Sequence, residues 1–533
     1  MASGIEIPSE NPHPHGPPPG QPGVPPPPPV EGHPPPAGQA ILDKAAAYYE
    51  MPQWKLMWRR FRKHRVALWM LHVVIILYVL CLNCDFLAPY DPSEIHGRSV
   101  EMPPQVLRAG FSGALPQLYV HPFVLVQDPV TLKRQYWVNR QERTPLRWFV
   151  HGQKWKFMGL IQTDVHLFGT YQVSCDLSLI RVSDGAIVAT AGGSTGPGGL
   201  AELAKSVCQK LAEPLAAKGD SVAVLNLRNN SGTARGRDLA GEMNQHVGRS
   251  LVASGGFQIH QRLEFPEGMD EKDVQNAELL KDDAARAKFA GSQYIVAGRV
   301  SENTCFLLGT DKLGQDLFSR ILHGGRISLL LGLTGELLTF VLGISLGGIS
   351  GYYGGKVDII IQRIVEILQS IPTIPIWLAM AAAIPKEWTS LQGYFAMTMI
   401  LAIIGWTGLC RVVRGKLLAL REEDYSRAAL LAGASERRVI FVHLVPNFLS
   451  HIIASMTLAI PGIILAETSL SFLGLGLRPP IVSWGVLLQD AQSVSTVVNQ
   501  PWMLLPAVMV IIAVLAFNFA GDGLRDAADP YAN

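Results

Sequence analysis

Charge is scarce in this 533-residue sequence. Asp, Glu, Lys and Arg make up 17% of it, against about a quarter in a soluble domain. Hydrophobic residues reach 48%, and mean hydropathy is +0.21. This balance excludes disorder of the whole chain and argues against a purely soluble protein. A net charge of +2 lacks the one-sided excess that draws a protein to nucleic acid, so no nucleic-acid partner is expected. Cysteine is sparse as well. Cys81, Cys84, Cys175, Cys208, Cys305 and Cys410 are scattered and form neither a disulfide framework nor a zinc-ligand spacing. Cys81 and Cys84 make a Cys-x-x-Cys, but at the end of an apolar run, where they read as two small apolar residues. The phosphate-cradling pattern Gly-x-x-x-x-Gly-Lys-Ser/Thr is also missing. Gly354-Gly355-Lys356-Val357 approaches it, but Ser350 and Val357 hold the positions that need a glycine and a hydroxyl. No catalytic site, metal site or directly bound cofactor is expected.

What is present is uneven along the chain. Residues 1–50 form a Pro- and Gly-rich tail with Pro25 to Pro29 consecutive. It is expected to be disordered or polyproline II, either passive or read by a proline-binding partner. It has no apolar core after a short basic stretch and so does not read as a secretory signal. Residues 51–90 begin with the basic cluster Arg59, Arg60, Arg62, Lys63 and Arg65, then run apolar from Val66 to Leu82, a first span. Positive charge stays inside, so the chain is expected to leave the cytoplasm here. Five more spans read at about 327–350, 359–384, 394–410, 452–474 and 502–520. Six spans place both termini in the cytoplasm and the long stretch 85–325 outside. Within the apolar runs stand Glu336, Arg363, Glu366 and Glu467. Ionisable groups are costly in hydrocarbon, so these four should face the bundle interior or a watery path, as packing elements or as solute contacts. Arg363 and Glu366 are three apart and can pair. Pro372 and Pro375 break the third span. Gly343, Gly347 and Gly351 make a flat helix face.

The 421–447 loop carries the mechanism. It reads as a helix over Glu422 to Ala432, a break at Gly433, a second short helix with Ser435 as N-cap, and a stop at Pro446. Two helices joined by a sharp turn form a docking knob. Ala428, Ala429, Gly433 and Ala434 are small enough to let a partner surface come close.

With its Arg427-Ala428-Ala429, three residues, Gly433, nine residues, then His443-Leu444-Val445-Pro446, the loop resembles the coupling loop of inner-membrane permeases of binding-protein-dependent ABC importers. The Arg-Ala-Ala opening and His-x-x-Pro-Asn ending resemble the dipeptide/oligopeptide/nickel branch. Three further stretches are similar to the second permease of that branch: Leu308 to Arg320 with Gly325 to Leu329, Glu467 to Gly485, and Gly521 to Pro530. Gln315 stands where an Arg is usual, which puts one expected surface contact in doubt. The resemblance covers about 50–100 and 306–530. It implies a mainly α, polytopic fold with six transmembrane helices and a core over 305–533. It implies that Arg427, Ala428, Ala429, Gly433, Ala434, Ser435 and Pro446 contact ATPase subunits. Two such subunits carrying ATP and Mg, a second permease in a heterodimer, an extracytoplasmic solute-binding protein and membrane lipid are the implied partners. The implied function is translocation of peptides or a similar small solute across the bacterial inner membrane.

Between the first span and the core lie two extra pieces. Residues 91–169 read as an extracytoplasmic cap containing Trp137, Trp148 and Trp155. Residues 170–304 read as an inserted extracytoplasmic α/β domain, with alternation at Tyr171, Val173, Cys175, Leu177 and Leu179, a turn at Ser183-Asp184-Gly185, and helices near 199–217, 236–253 and 271–289. Its strand order resembles the periplasmic α/β domains of curli-secretion and TolB amino-terminal type, permuted. A second reading follows from this domain: a membrane-anchored envelope sensor or adaptor whose insert binds envelope proteins. The Gly-broken double helix separates the two, because an anchor has no use for it.

Overall fold

A computed structural model describes residues 53–96, 99–112, 115–127, 134–141, 143–157, 161–169, 172–181, 187–195, 200–212, 220–225, 227–229, 234–253, 257–263, 293–385 and 387–528. The Pro-rich tail, the turn at Ser183-Asp184-Gly185 and the helix expected over 271–289 lie outside the described residues. The chain divides at Leu56, and of the first unit only Gln53–Leu56 is described, as the opening of α1 (Gln53–Phe61).

The apolar run becomes α2 (Arg65–Leu82), whose first turn is closed by His64 Nδ1 accepting from the Ala67 amide at 3.2 Å. A short helix, α3 (Cys84–Leu87), follows directly. The cap is built of antiparallel pairs. One sheet joins β1 (Arg108–Ser112), β2 (Leu115–Val120) and a later short strand, β5 (Thr144–Pro145); a hairpin between them joins β3 (Phe123–Gln127) and β4 (Arg134–Val138); another joins β6 (Arg147–Phe157) and β7 (Ile161–Gly169). Side chains tie this region to the core: Gln105 Oε1 accepts from the Phe306 amide at 2.8 Å, and Tyr90 Oη accepts from the Cys305 amide at 2.9 Å. Gln315, which stands where an Arg is usual, is buried and donates to the Ser93 carbonyl at 3.1 Å. An amide can hydrogen-bond a carbonyl without carrying a charge into the interior.

His96 sits in the same region, its ring 5.3 Å from Tyr90 and 4.9 Å from Phe306, with Nε2 buried and unpartnered. Burial pushes its pKa down to about 4. The unfolded chain, with an ordinary histidine near 6.5, takes up the proton first. Stability therefore falls as pH drops from about 6.5 towards about 4, by roughly 3 kcal/mol in all. Replacing His96→Phe should remove this loss. The check is the melting temperature of both proteins at pH 7 and pH 4.5. Their difference isolates His96 from Asp316, whose burial pushes its carboxyl up to about 6 and tilts stability the opposite way.

The insert is an α/β unit. Its strands are β8 (Gln172–Arg181), β9 (Ile187–Thr195), β10 (Asp220–Leu225), β11 (Arg228–Asn229), β12 (Phe257–Leu263) and β13 (Tyr294–Asn303), with α4 (Leu200–Ala212) and α5 (Ala234–Ala253). The main sheet order is β12-β10-β13-β8-β9; β10 runs parallel to both neighbours and β8 antiparallel to both of its own. Alternate strand residues such as Leu177, Leu179, Val222 and Val296 meet Leu203, Val207, Met243 and Val247 of the helices in one core. Gln172 and Asn303, the first and last residues of the sheet, are direct antiparallel partners. Such partners have Cα atoms about 5 Å apart. Replacing 170–304 with a short Gly/Ser joint should therefore leave the rest of the chain inserted and folded, its stability changed by only about 1 kcal/mol. Gel filtration and melting of the shortened protein test this, and loss of stable insertion would show the insert to be integral.

The remainder is helical. In order come α6 (Leu317–Tyr353), α7 (Gly355–Ser370), α8 (Thr373–Ala382), α9 (Ser390–Leu420), α10 (Asp424–Leu431), α11 (Glu436–Arg438), α12 (Leu449–Phe472), α13 (Trp484–Gln489), α14 (Val494–Asn499) and α15 (Leu505–Ala528). Five helices among the described residues are long and apolar enough to cross a membrane, six if α7 and α8 count as one span. The expected single span over 359–384 is thus a pair bent by 85°. Pro372 explains it. The residue before a proline is pushed out of helical geometry, and Ile371 is extended at φ −90°, ψ 133°. Pro375 falls in the first turn of α8, where its missing N–H costs nothing. The glycine face on α6 does pack closely: a Cβ on Gly347 would lie 2.6 Å from the Cys410 carbonyl of α9.

Candidate functional site

The 421–447 segment projects between α9 and α12. Glu423 precedes α10 in extended geometry, and Arg427 pairs with Glu422 at 2.6 Å on the exposed face. This pairing lowers the Glu422 carboxyl pKa and raises that of the guanidinium. The helix ends in a Schellman motif: Gly433 has φ +84°, its amide donates to the Leu430 carbonyl at 2.9 Å, and the Ala434 amide donates to Ala429 at 3.1 Å. A Cβ on Gly433 would meet nothing within 4 Å, so that position faces open space. Beside it Leu431 is 90% exposed, and Leu430 and Tyr425 are exposed too. The knob is anchored from behind, where Val439, Ile440 and Leu444 pack with Ile344 of α6 and with Val413 and Leu417 of α9. The segment thus presents an apolar tip on a packed base.

Two expectations for this segment need correction. Ser435 takes the N-cap position of α11, but its side chain makes no capping bond. Pro446 does not stop the chain's helical course. Val439–Leu444 is a π-helix, Val445–Phe448 a 3-10 turn with Pro446 near its start, and α12 follows at once. A proline is tolerated in an opening turn, where its N–H has no helical acceptor.

The intramembrane ionisable residues separate into three environments. Glu467 is fully buried and accepts from three hydroxyls: Ser483 at 2.7 Å, Ser471 at 2.8 Å and Ser328 at 3.2 Å. These serines in turn accept from the Val486, Leu477 and Trp484 amides, which fastens the loop after α12 to α6. Glu336 is 3% exposed and lines a cavity of about 360 Å³ with Thr339, Trp377, Gly405 and Ser455. Thr339 Oγ1 and Trp377 Nε1 are buried there without partners. Polar groups left unpaired around an apolar cavity are costly unless something enters to meet them. Arg363 and Glu366 do pair, at 3.0 Å, but their side chains are 72% and 54% exposed. They do not face the interior of this chain's own bundle, because α7 buries only Val365.

One part-buried ion pair has no counterpart in the sequence pattern. Arg414 of α9 makes a bidentate pair with Asp358 of α7, both bonds 2.5 Å, and Ser350 and Gln362 complete the cluster. The only signal was two opposite charges at the rims of separate apolar runs, with no spacing rule to join them.

The elements so far define a polytopic membrane protein with an exposed helical knob packed against two of its long apolar helices. A family model described as the inner-membrane component of binding-protein-dependent transport systems matches residues 343–532, and one described as the N-terminal TM domain of oligopeptide transport permease C matches 52–104. The oligopeptide transport system permease protein OppC of Haemophilus influenzae is 41% identical over 223 residues, 42% of this chain and 69% of that protein. The dipeptide transport system permease protein DppC of Bacillus subtilis is 38% identical over 224 residues, 42% of this chain and 68% of that protein. A chain of the inward-facing MetNI methionine ABC transporter superposes with a TM-score of 0.33 at 18% identity, covering 40% of this chain and 98% of that one. The chain belongs to the permeases of binding-protein-dependent ABC importers, on the branch of the oligopeptide and dipeptide systems. It is a multi-pass inner-membrane transport subunit.

Proposed function

We propose that this chain is one of two permeases in a peptide importer and that α10 and its Schellman turn couple it to ATP hydrolysis. The observation that carries this is the knob: an apolar tip with Leu431 at 90% exposure, held by buried contacts to two long apolar helices. Two ATPase subunits, which bring ATP and Mg, dock on this knob and on its counterpart in the second permease. Their closure tilts α6 and α9 through the base of the knob and switches the path between outward and inward access. Both termini and the 421–447 segment are cytoplasmic, while the cap and insert face the solute-binding protein outside. The exposed Arg363–Glu366 pair on α7 is covered by the second permease. Peptide is the solute class, supported by the oligopeptide and dipeptide systems among its relatives.

In this reading Glu336 borders the solute path, supported by the unpartnered Thr339 Oγ1 and Trp377 Nε1 beside it in the cavity. The importer, reconstituted in vesicles with its solute-binding protein, should take up labelled oligopeptide only when ATP is supplied on the 421–447 side. Unlabelled peptides should compete and sugars should not. Glu336→Gln should slow this uptake roughly tenfold, a loss of about 1.4 kcal/mol, with ATPase subunits still bound. Uptake that ignores peptide competitors would overturn the solute class.

A further inference from the structure

The first span ends beside a cluster of metal-donor side chains. Cys84 and Asp85 open α3, and His323 lies in the second turn of α6. Their Sγ, carboxylate and imidazole donor atoms all lie within 4.8 Å of one another. We propose that Cys84, Asp85 and His323 form a binding site for a zinc-class divalent transition metal that fastens the end of the first span to the second.

The imidazole makes the case. His323 Nδ1 is 2.8 Å from the Ser319 carbonyl, which can only accept, so Nδ1 carries a proton. In the neutral ring the lone pair is then on Nε2. That atom is 3.1 Å from Asp85 Oδ1, itself an acceptor. Two acceptors facing each other need a cation between them, either a second ring proton or a metal ion. A second ring proton would serve Nε2 and Oδ1 alone, whereas a metal ion would also engage the thiol that lies within 4.8 Å of both. A sulfur, nitrogen and oxygen donor set is one that zinc-like ions hold and that magnesium and calcium do not. Around a tetrahedral zinc, donor atoms stand roughly 3.3–3.6 Å apart, so small side-chain rotations gather these three.

The surroundings agree. Arg326 Nη1 donates to the other oxygen, Asp85 Oδ2, at 2.9 Å, orienting the carboxylate with Oδ1 towards His323 Nε2. Together with the Ser319 carbonyl it forms the outer layer of partners that ligands of a bound metal have. Cys84 is buried and the His323 side chain 11% exposed, while Asp85 at 31% leaves the ion a way in and a fourth position for water. Cys81, one turn earlier, packs against Gly325 instead. Asp85 and His323 are 238 residues apart, so no spacing in the sequence could announce the site.

The test uses the full-length chain, purified with its partner subunits on a tag free of His and Cys, stripped with a chelator and dialysed against Zn²⁺ or Co²⁺. One zinc per chain should remain after gel filtration. Cobalt should give a thiolate charge-transfer band and the intense visible absorption of a tetrahedral ion. Cys84→Ser should abolish the charge-transfer band, and His323→Gln should weaken zinc binding at least tenfold, with both variants eluting as the parent. The cobalt spectrum of the unaltered protein stands whether or not a variant folds. Absence of a thiolate band in that protein overturns the site. So does zinc retention equal to that of Cys84→Ser.

Discussion

Gly433→Glu should leave the permease in the membrane and abolish transport. Two terms act together. At φ +84° a Cβ strains the backbone by about 1–2 kcal/mol, which loosens the turn that orients Leu431. The carboxylate then points into the open space in front of the knob, where a Cβ meets nothing within 4 Å. If an ATPase cleft closes on that space, an unpaired charge is buried at the interface at a cost of about 2–5 kcal/mol. Even about 3 kcal/mol lowers docking more than a hundredfold. Gly433→Asn separates the terms, because asparagine tolerates the left-handed conformation and brings no charge. ATP-driven uptake and retention of the ATPase on the purified permease are the readouts. Parent-level uptake by Gly433→Glu would refute the coupling role.

The second large effect is expected at Glu467. Replacing Glu467→Ala removes three hydroxyl partners at once and opens a void at a fully buried site. A buried hydroxyl left without its acceptor costs about 1–3 kcal/mol; three are stranded here, and the loss releases the loop carrying Trp484 from α6. Glu467→Gln keeps the shape and one carbonyl acceptor, so it should cost about 1 kcal/mol. Melting of both variants in detergent orders them: parent, then Gln, then Ala well below. Equal melting of Ala and parent would show that the serines need no carboxylate.

How much of this could be read from the sequence depends on how local the cause is. Gly433 was legible because a glycine after a helical run is itself the helix-closing signal. The break at Pro372 was legible for the same reason, but its 85° angle was not, because Pro375 allows a second helix to start at once. Pro446 misled, since a proline reads as a stop only where an N–H is required. Glu467 showed as a buried acid, and Ser471, four residues on, lies on the same helix face. Ser328 and Ser483 reach it only through tertiary packing. The strands of the insert alternated visibly, yet the closing of β8 on β13 joins residues more than a hundred positions apart. The exposure of Arg363 and Glu366 could not be foreseen either, because which face of α7 packs on its neighbours is set by tertiary contacts, and that face carries Val365.

The central claim is that the tip at Leu431 enters an ATPase subunit. All six cysteines are buried, so Leu431→Cys introduces a single accessible thiol at a 90% exposed position. A short thiol-directed cross-linker added to membranes holding the assembled importer, followed by mass spectrometry of the captured product, reads the contact directly. The account predicts a cross-link to an ATP-binding subunit that is lost when Gly433→Glu is added. A thiol that labels freely in the intact complex and captures no ATPase would contradict it.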